Sequence, residues 1–94
     1  MSYFVYILAS APYGTLYIGI TNNLALRVEQ HRKGRGSEFA RKYRVHRLVH
    51  VETFQTPIEA ITREKQLKKW KRDWKIRLIE TDNLAWRDLS GLMI

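Results

Sequence analysis

The chain has 94 residues, 45% of them hydrophobic and 28% charged, and no cysteine. That length suits one compact domain rather than two, the missing thiols exclude a disulfide framework and a thiolate metal site, and no apolar run approaches the roughly 20 residues that span a bilayer. Seventeen Lys and Arg against nine Asp and Glu give a net charge of +8, which favours a polyanionic partner through counterion release but says nothing about catalysis.

The opening residues MSYFVYILAS are apolar but lack a basic leader, so no signal peptide is expected; without one, and with no membrane association expected, the cytoplasm is the default compartment. Residues 3–9, rich in β-branched and aromatic side chains, read as a strand with two apolar faces, which calls for a sheet covered on both sides. The APYG run at 11–14 is a turn signal and residues 16–21 a second strand, so the chain opens with a hairpin. Asn22 and Asn23 offer caps for a helix over about 24–33, with Gly34 as its stop. A glycine-rich basic loop follows, and Ser37 caps a short turn through about Arg41. A third strand is expected over about 46–54, with Arg47, Val49 and Val51 on one face and Leu48, His50 and Glu52 on the other. Thr56, Pro57 and Glu59 combine a capping box with proline at the first helical position. The helix they start is expected to reach about 70–72, and helical pattern resumes or continues to about 80, with Asp73 marking a kink or a new cap. A tail containing Trp86, Leu89 and Leu92 is expected to dock on the domain, whose core covers about 2–80 and whose tail covers 81–94. The order β-β-α-β-α-α describes a single small domain of the α/β (α+β) class with a largely antiparallel sheet.

Three groups of residues carry chemical potential. Glu64 has Ala60, Ile61 and Leu67 as helical neighbours, so it sits on the apolar stripe of its helix and not on the face holding Arg63, Lys65, Lys69 and Lys71. A carboxylate there needs a metal, a cation or several donors, which leaves either a metal site or a structural ion pair. Arg27 and His31 lie four apart on the first helix and share a face. They suit a phosphate grip and a proton relay, or simply a solvated basic helix. Tyr6 and Tyr17 stand on paired strands, with Gly19 leaving space beside the Tyr17 phenol, although tyrosines are also common in strands for packing alone.

Taken together, Val5-Tyr6, Tyr17-Ile18-Gly19, Arg27, His31 and Glu64, with the stretches LYIGITNNLALRVEQHRKG and REKQLKKWKRDWKIRLIE, resemble the GIY-YIG nuclease family over nearly the whole chain. The overall look is similar to its small standalone bacterial members, the YhbQ-like group. The first motif half departs from the family pattern, because Phe4-Val5-Tyr6 lacks the glycine that names it. The resemblance implies a three-stranded antiparallel sheet flanked by helices. It also implies an endonuclease that hydrolyses DNA phosphodiester bonds with one Mg²⁺ or Mn²⁺ ion, as in homing endonucleases, UvrC repair proteins and Slx-type structure-selective nucleases. Such activity would select DNA structure or strandedness over sequence and would serve repair or recombination. RNA is left open as a substrate, and no protein partner is specified.

The family roles carry over as follows. Tyr6 and Tyr17 line the site, and one of them orients or deprotonates the attacking water. Arg27 grips the scissile phosphate, His31 relays a proton, and Glu64 binds the metal. Asn83 is the candidate for an asparagine that many relatives carry after the glutamate. Tyr13, Lys33 and Tyr43 are further candidates for DNA contact or assistance at the site. Lys65, Lys68, Lys69, Lys71 and Arg72, continued by Lys75 and Arg77, form a basic surface for tracking phosphates. Trp70 and Trp74, four apart, read as core anchors ahead of base-stacking platforms. The alternative from another class is a non-catalytic nucleic-acid-binding module on the same fold.

Overall fold

The structure is a computed structural model that describes residues 1–93. Its centre is β1 (Tyr3–Ala9), whose residues from Val5 onward are buried on both sides. A turn at 11–14, closed by the Gly14 N–H donating to the Ala11 carbonyl at 2.9 Å, leads into β2 (Leu16–Thr21). This hairpin pairs Tyr6 with Gly19 and Leu8 with Tyr17. α1 (Leu24–Arg32) starts where the Asn23 side chain accepts from the Leu26 N–H, and the chain leaves it through Gly34 at φ +74°. α2 (Glu38–Tyr43) is capped by Ser37 and stops at Arg44, which adopts the left-handed conformation.

β3 (Arg47–Phe54) adds to the other side of β1, giving an antiparallel sheet of order β2-β1-β3. Its expected alternation does not survive. Ile7 pairs with His50 but Leu8 pairs with Leu48, so Val49 is a bulge. The extra residue resets the pleat: Val51 joins Leu48 on the Tyr6 face, while Val49 packs with Val5, Ile7 and Ala9 opposite.

α3 (Pro57–Lys69) and α4 (Arg72–Asp82) follow. At the start of α3 the Thr56 hydroxyl accepts from the Glu59 N–H and donates to the Glu59 carboxylate at 2.7 Å. Trp70 and Lys71 are both extended, so the long helix is broken there, and Lys71 rather than Asp73 occupies the cap position of α4. A short α5 (Ser90–Met93) ends the described chain.

Two helical layers therefore cover the sheet. Ala60 and Leu67 of α3, Ile79 of α4 and Trp86 pack on the face of Val5 and Ile7. Leu24 and Val28 of α1, Ala40 of α2 and Val45 pack on the face of Tyr6 and Leu8. The tail docks as expected through Trp86, which is 1% exposed, and through Leu89, whose N–H donates to the Leu48 carbonyl at 2.7 Å. The expected contact of Leu92 falls outside the residues whose side chains are described. No described helix is long and apolar enough to cross a membrane.

Candidate active site

The hairpin register puts Tyr6, Tyr17 and Gly19 on one face of the sheet, beneath α1. The space above Gly19 is not open: a Cβ there would stand 2.3 Å from the Tyr6 hydroxyl oxygen, so the Tyr6 phenol lies directly over the glycine backbone. α1 supplies the next side chains. Its buried stripe of Leu24, Val28 and His31 faces the sheet, and His31 Nε2 shares a 3.0 Å hydrogen bond with the Tyr6 hydroxyl. Tyr17 closes the group, with its ring centroid 6.3 Å from Tyr6 and 5.1 Å from His31. Gly36, in the loop after α1, is also close-packed, since a Cβ at that position would meet His31 Nδ1 at 2.3 Å.

Arg27, half-buried one turn before His31, makes no ion pair among the described residues. On α3, Glu64 lies on the stripe between the fully buried Ala60 and Leu67, with its side chain 16% exposed. Its one ion-pair partner among the described residues is Lys68, at a loose 3.5 Å. These groups act on one another. Burial pushes the Tyr6 phenol well above its usual range, the Tyr17 phenol adds to the rise, the Arg27 charge opposes it, and the Glu64 charge adds a little more. Burial and the charges of Arg27 and His46 hold His31 below the usual imidazole value, so its neutral form is favoured. Elements β1, β2, α1 and α3 thus bring two phenols, a free guanidinium, a neutral imidazole and a weakly partnered carboxylate within electrostatic reach.

Sequence comparison meets this geometry independently. The profile of the GIY-YIG catalytic domain matches residues 2–77. The chain belongs to the GIY-YIG family. Within it, the UPF0213 proteins of Staphylococcus aureus strains Mu3 and Mu50 are each 38% identical over 79 residues, covering 84% of this chain and 95% of theirs. The solution NMR structure of a UPF0213 protein from Bacillus halodurans is 28% identical, with a TM-score of 0.59 over 99% of this chain and 98% of that one. These relatives are small standalone proteins, as the resemblance to the YhbQ-like group implied. Membership makes this a nuclease-family domain with a nucleic acid as its class of substrate.

Other expected site residues stand elsewhere. Asn83 is buried at the end of α4, where its Nδ2 donates to the carbonyls of Val49 (3.2 Å) and Arg87 (2.9 Å) and its Oδ1 accepts from the Arg87 N–H. It staples the tail to the sheet and does not join the GIY-YIG cluster. Tyr13, in the hairpin turn at φ +59°, donates to Glu80 at 2.6 Å and packs against Trp86, again away from the cluster. Lys33 ends α1 and pairs with Glu29 at 2.8 Å. Tyr43 lies on α2, in ring contact with Phe39 at 4.7 Å, and Phe39 in turn reaches Tyr17 at 6.0 Å. Sequence reasoning passed over Phe39, although Phe39 and Tyr43 are four apart behind a serine cap and so share a helical face.

The basic surface is also uneven. Lys65, Lys68, Lys69 and Lys71 are exposed, but Arg72 Nη2 is tied to the Tyr13 and Gly14 carbonyls at 2.5 and 2.7 Å, which leaves less of that guanidinium for phosphate. Of the two tryptophans expected in the core, Trp70 packs against it beneath the Arg63 guanidinium, whereas Trp74 is 51% exposed.

Proposed function

We propose that this chain is a divalent-metal-dependent endonuclease that hydrolyses DNA phosphodiester bonds with little sequence specificity, in the service of DNA repair or recombination. The observation that carries the reading is the packing of Tyr6, Tyr17 and His31 in one group, with the Tyr6 phenol bonded to His31 and near enough to Arg27 and Glu64 to feel both charges. We also read the chain as one cytoplasmic domain.

The donor set fits Mg²⁺ or Mn²⁺ held by one carboxylate. Among the described residues no cluster of three metal-ligating side chains exists, and Mg²⁺ commonly binds through one or two carboxylates plus substrate phosphates and water. Glu64, gripped only loosely by Lys68, is the residue to hold it. A bound divalent ion supplies charge for the phosphoryl oxygens and the leaving oxygen. Everything else falls to the chain. Arg27, which makes no ion pair among the described residues, grips two oxygens of the scissile phosphate and neutralises charge as it grows.

The two phenols take different roles. Tyr6, fully buried and with a raised pKa, keeps its proton and acts as a donor. His31 Nδ1 is buried without a hydrogen-bond partner among the described residues, and an orphan lone pair costs less than an orphan N–H, which puts the imidazole proton on Nε2, donating to the Tyr6 oxygen. That leaves the Tyr6 hydroxyl hydrogen free to point at the reacting group. Tyr17, half-buried, is the phenol that water can reach, and it orients the nucleophile or takes its proton.

Nicking of labelled single-stranded, duplex and branched DNA with Mn²⁺, with EDTA, and by the Glu64→Ala and Arg27→Ala proteins tests this. Each substitution is expected to lower the rate by about 10²–10³, by analogy with loss of a transition-state donor. Cleavage that survives both substitutions sinks the assignment. A non-catalytic binding module is the second reading, and the Lys68 ammonium beside Glu64 favours it by partly neutralising the carboxylate. Metal-independent binding of every substrate with no cleavage of any would establish that reading instead.

A further inference from the structure

Beside the cluster, on the outer side of Tyr17, lies a surface pocket of about 320 Å³. Leu16, Ile18, Tyr17 and Phe39 form its apolar walls, and Lys68 and Lys75 bring positive charge to it. Phe39 is 43% exposed and Tyr43 45% exposed, although α2 is only six residues long and buries just Ala40. The rings form a continuous series from the buried Tyr6 through Tyr17 (6.3 Å) and Phe39 (6.0 Å) to Tyr43 (4.7 Å), with the Lys42 ammonium 5.4 Å from the last ring centre. A short helix that turns two adjacent aromatic rings outward, next to cations, leaves flat apolar area for a flat, anionically tethered guest. An unpaired nucleobase meets both demands, since its face stacks on an aromatic ring while its phosphates meet lysines. A base within a duplex has both faces covered and cannot enter without being flipped out.

We propose that the pocket of Tyr17, Phe39, Lys68 and Lys75 receives an unpaired nucleobase adjacent to the phosphate held at the cluster, and that the chain thereby selects strands with an unstacked nucleotide at the cut. This deepens the nuclease reading and rests on it for the placement of the phosphate. Phe39 is then a specificity-determining residue. It touches the neighbouring base and not the reacting atoms.

The test reads binding without cleavage. The Glu64→Gln protein in EDTA is titrated with a single-stranded oligonucleotide carrying one 2-aminopurine, with the same strand in duplex, with a strand that is abasic at the reporter position, and with free 2-aminopurine nucleoside monophosphate. Stacking quenches the fluorophore in the single strand and not in the duplex. Adding Phe39→Ala removes the quenching and raises Kd about tenfold on the intact strand, the scale of one base–aromatic stack, with no change on the abasic strand. Phe39→Ile keeps the apolar volume and the melting temperature, so quenching lost in that protein is not a folding failure. Equal weakening on the intact and abasic strands overturns the proposal, because Phe39 would then only pack the site. So does equal quenching by duplex, or by the free nucleotide at the same concentration. Quenching by the single strand in a chain that never cuts DNA leaves the pocket standing and sinks the nuclease reading. Cleavage without quenching does the reverse.

Discussion

Gly19 is the smallest residue near the site and among the least replaceable. A methyl group there would press on the hydroxyl end of Tyr6, a rigid ring that is 1% exposed and cannot swing away. Gly19→Ala is therefore expected to lower stability by about 1–3 kcal/mol through overpacking and to break the Tyr6–His31 hydrogen bond. Paired melting and nicking assays check this, and a protein with unchanged melting and full activity would contradict the packing. The neighbourhood of these side chains is legible where its logic is local: register puts Tyr6 and Tyr17 on one face, four-residue spacing sets Arg27 and His31 on one side of α1, and Glu64 falls on the stripe of Ala60 and Leu67. Other positions are less legible. What the glycine makes room for depends on a cross-strand neighbour, Tyr6, and not on the residue two places before it. Asn83 and Tyr13 carry side chains suited to chemistry, yet their partners, Val49 and Glu80, are 34 and 67 positions away and invisible to local pattern.

At the scale of elements, Asn83 holds the end of α4, the bulge of β3 and the tail in one set of hydrogen bonds. Asn83→Ala is expected to cost on the order of 1–3 kcal/mol by orphaning buried carbonyls, while nuclease activity measured well below the melting temperature persists. Activity lost with stability intact would return Asn83 to the reaction. β3 carries a second device, in which Glu52 accepts from Arg63 of α3 at 2.7 Å and pairs with His50 at 2.8 Å. Burial works against the Glu52 charge, but the hydrogen bonds from His50 and Arg63 and the Arg63 charge overcome it and bring its pKa down to about 2. A depressed carboxylate stabilises the fold fully above its ordinary pKa, near 4.5, and that contribution disappears as pH falls towards about 2. Glu52→Gln should thus melt lower at pH 7, on the order of 5–10 °C, with the gap to the parent closing in acid. A gap that stays constant with pH would show that the ion pair is not its source. Element boundaries follow caps that the sequence displays at Asn23, Ser37 and Thr56. Two details lack such marks: the β3 bulge at Val49, between Leu48 and His50, carries no glycine or proline, and the α3–α4 break, expected at about Asp73, has Lys71 at its cap with no side-chain hydrogen bond.

Over the whole molecule, the charge of +8 predicts a salt-dependent affinity for nucleic acid on the proposed reading, to which its cations would not contribute equally. Lys65→Ala and Lys69→Ala, at exposed positions without ion pairs among the described residues, should each reduce the slope of log affinity against log salt by about 1. Arg72→Ala should instead lower the melting temperature, because its guanidinium holds the hairpin turn to α4. A salt slope that falls for Arg72→Ala with no change in melting would show that guanidinium to be free for phosphate after all. The order in which the chain delivers its parts has a further result. Both phenols, the guanidinium and the imidazole lie within the first 31 residues, while the acid waits on α3 at position 64. A nascent or prematurely terminated polypeptide that stops short of α3 has the hydroxyls and the arginine but no ligand for the ion. On the proposed chemistry such a fragment is harmless to the chromosome, so cutting power arrives only once the second half has been synthesised and has closed over the sheet.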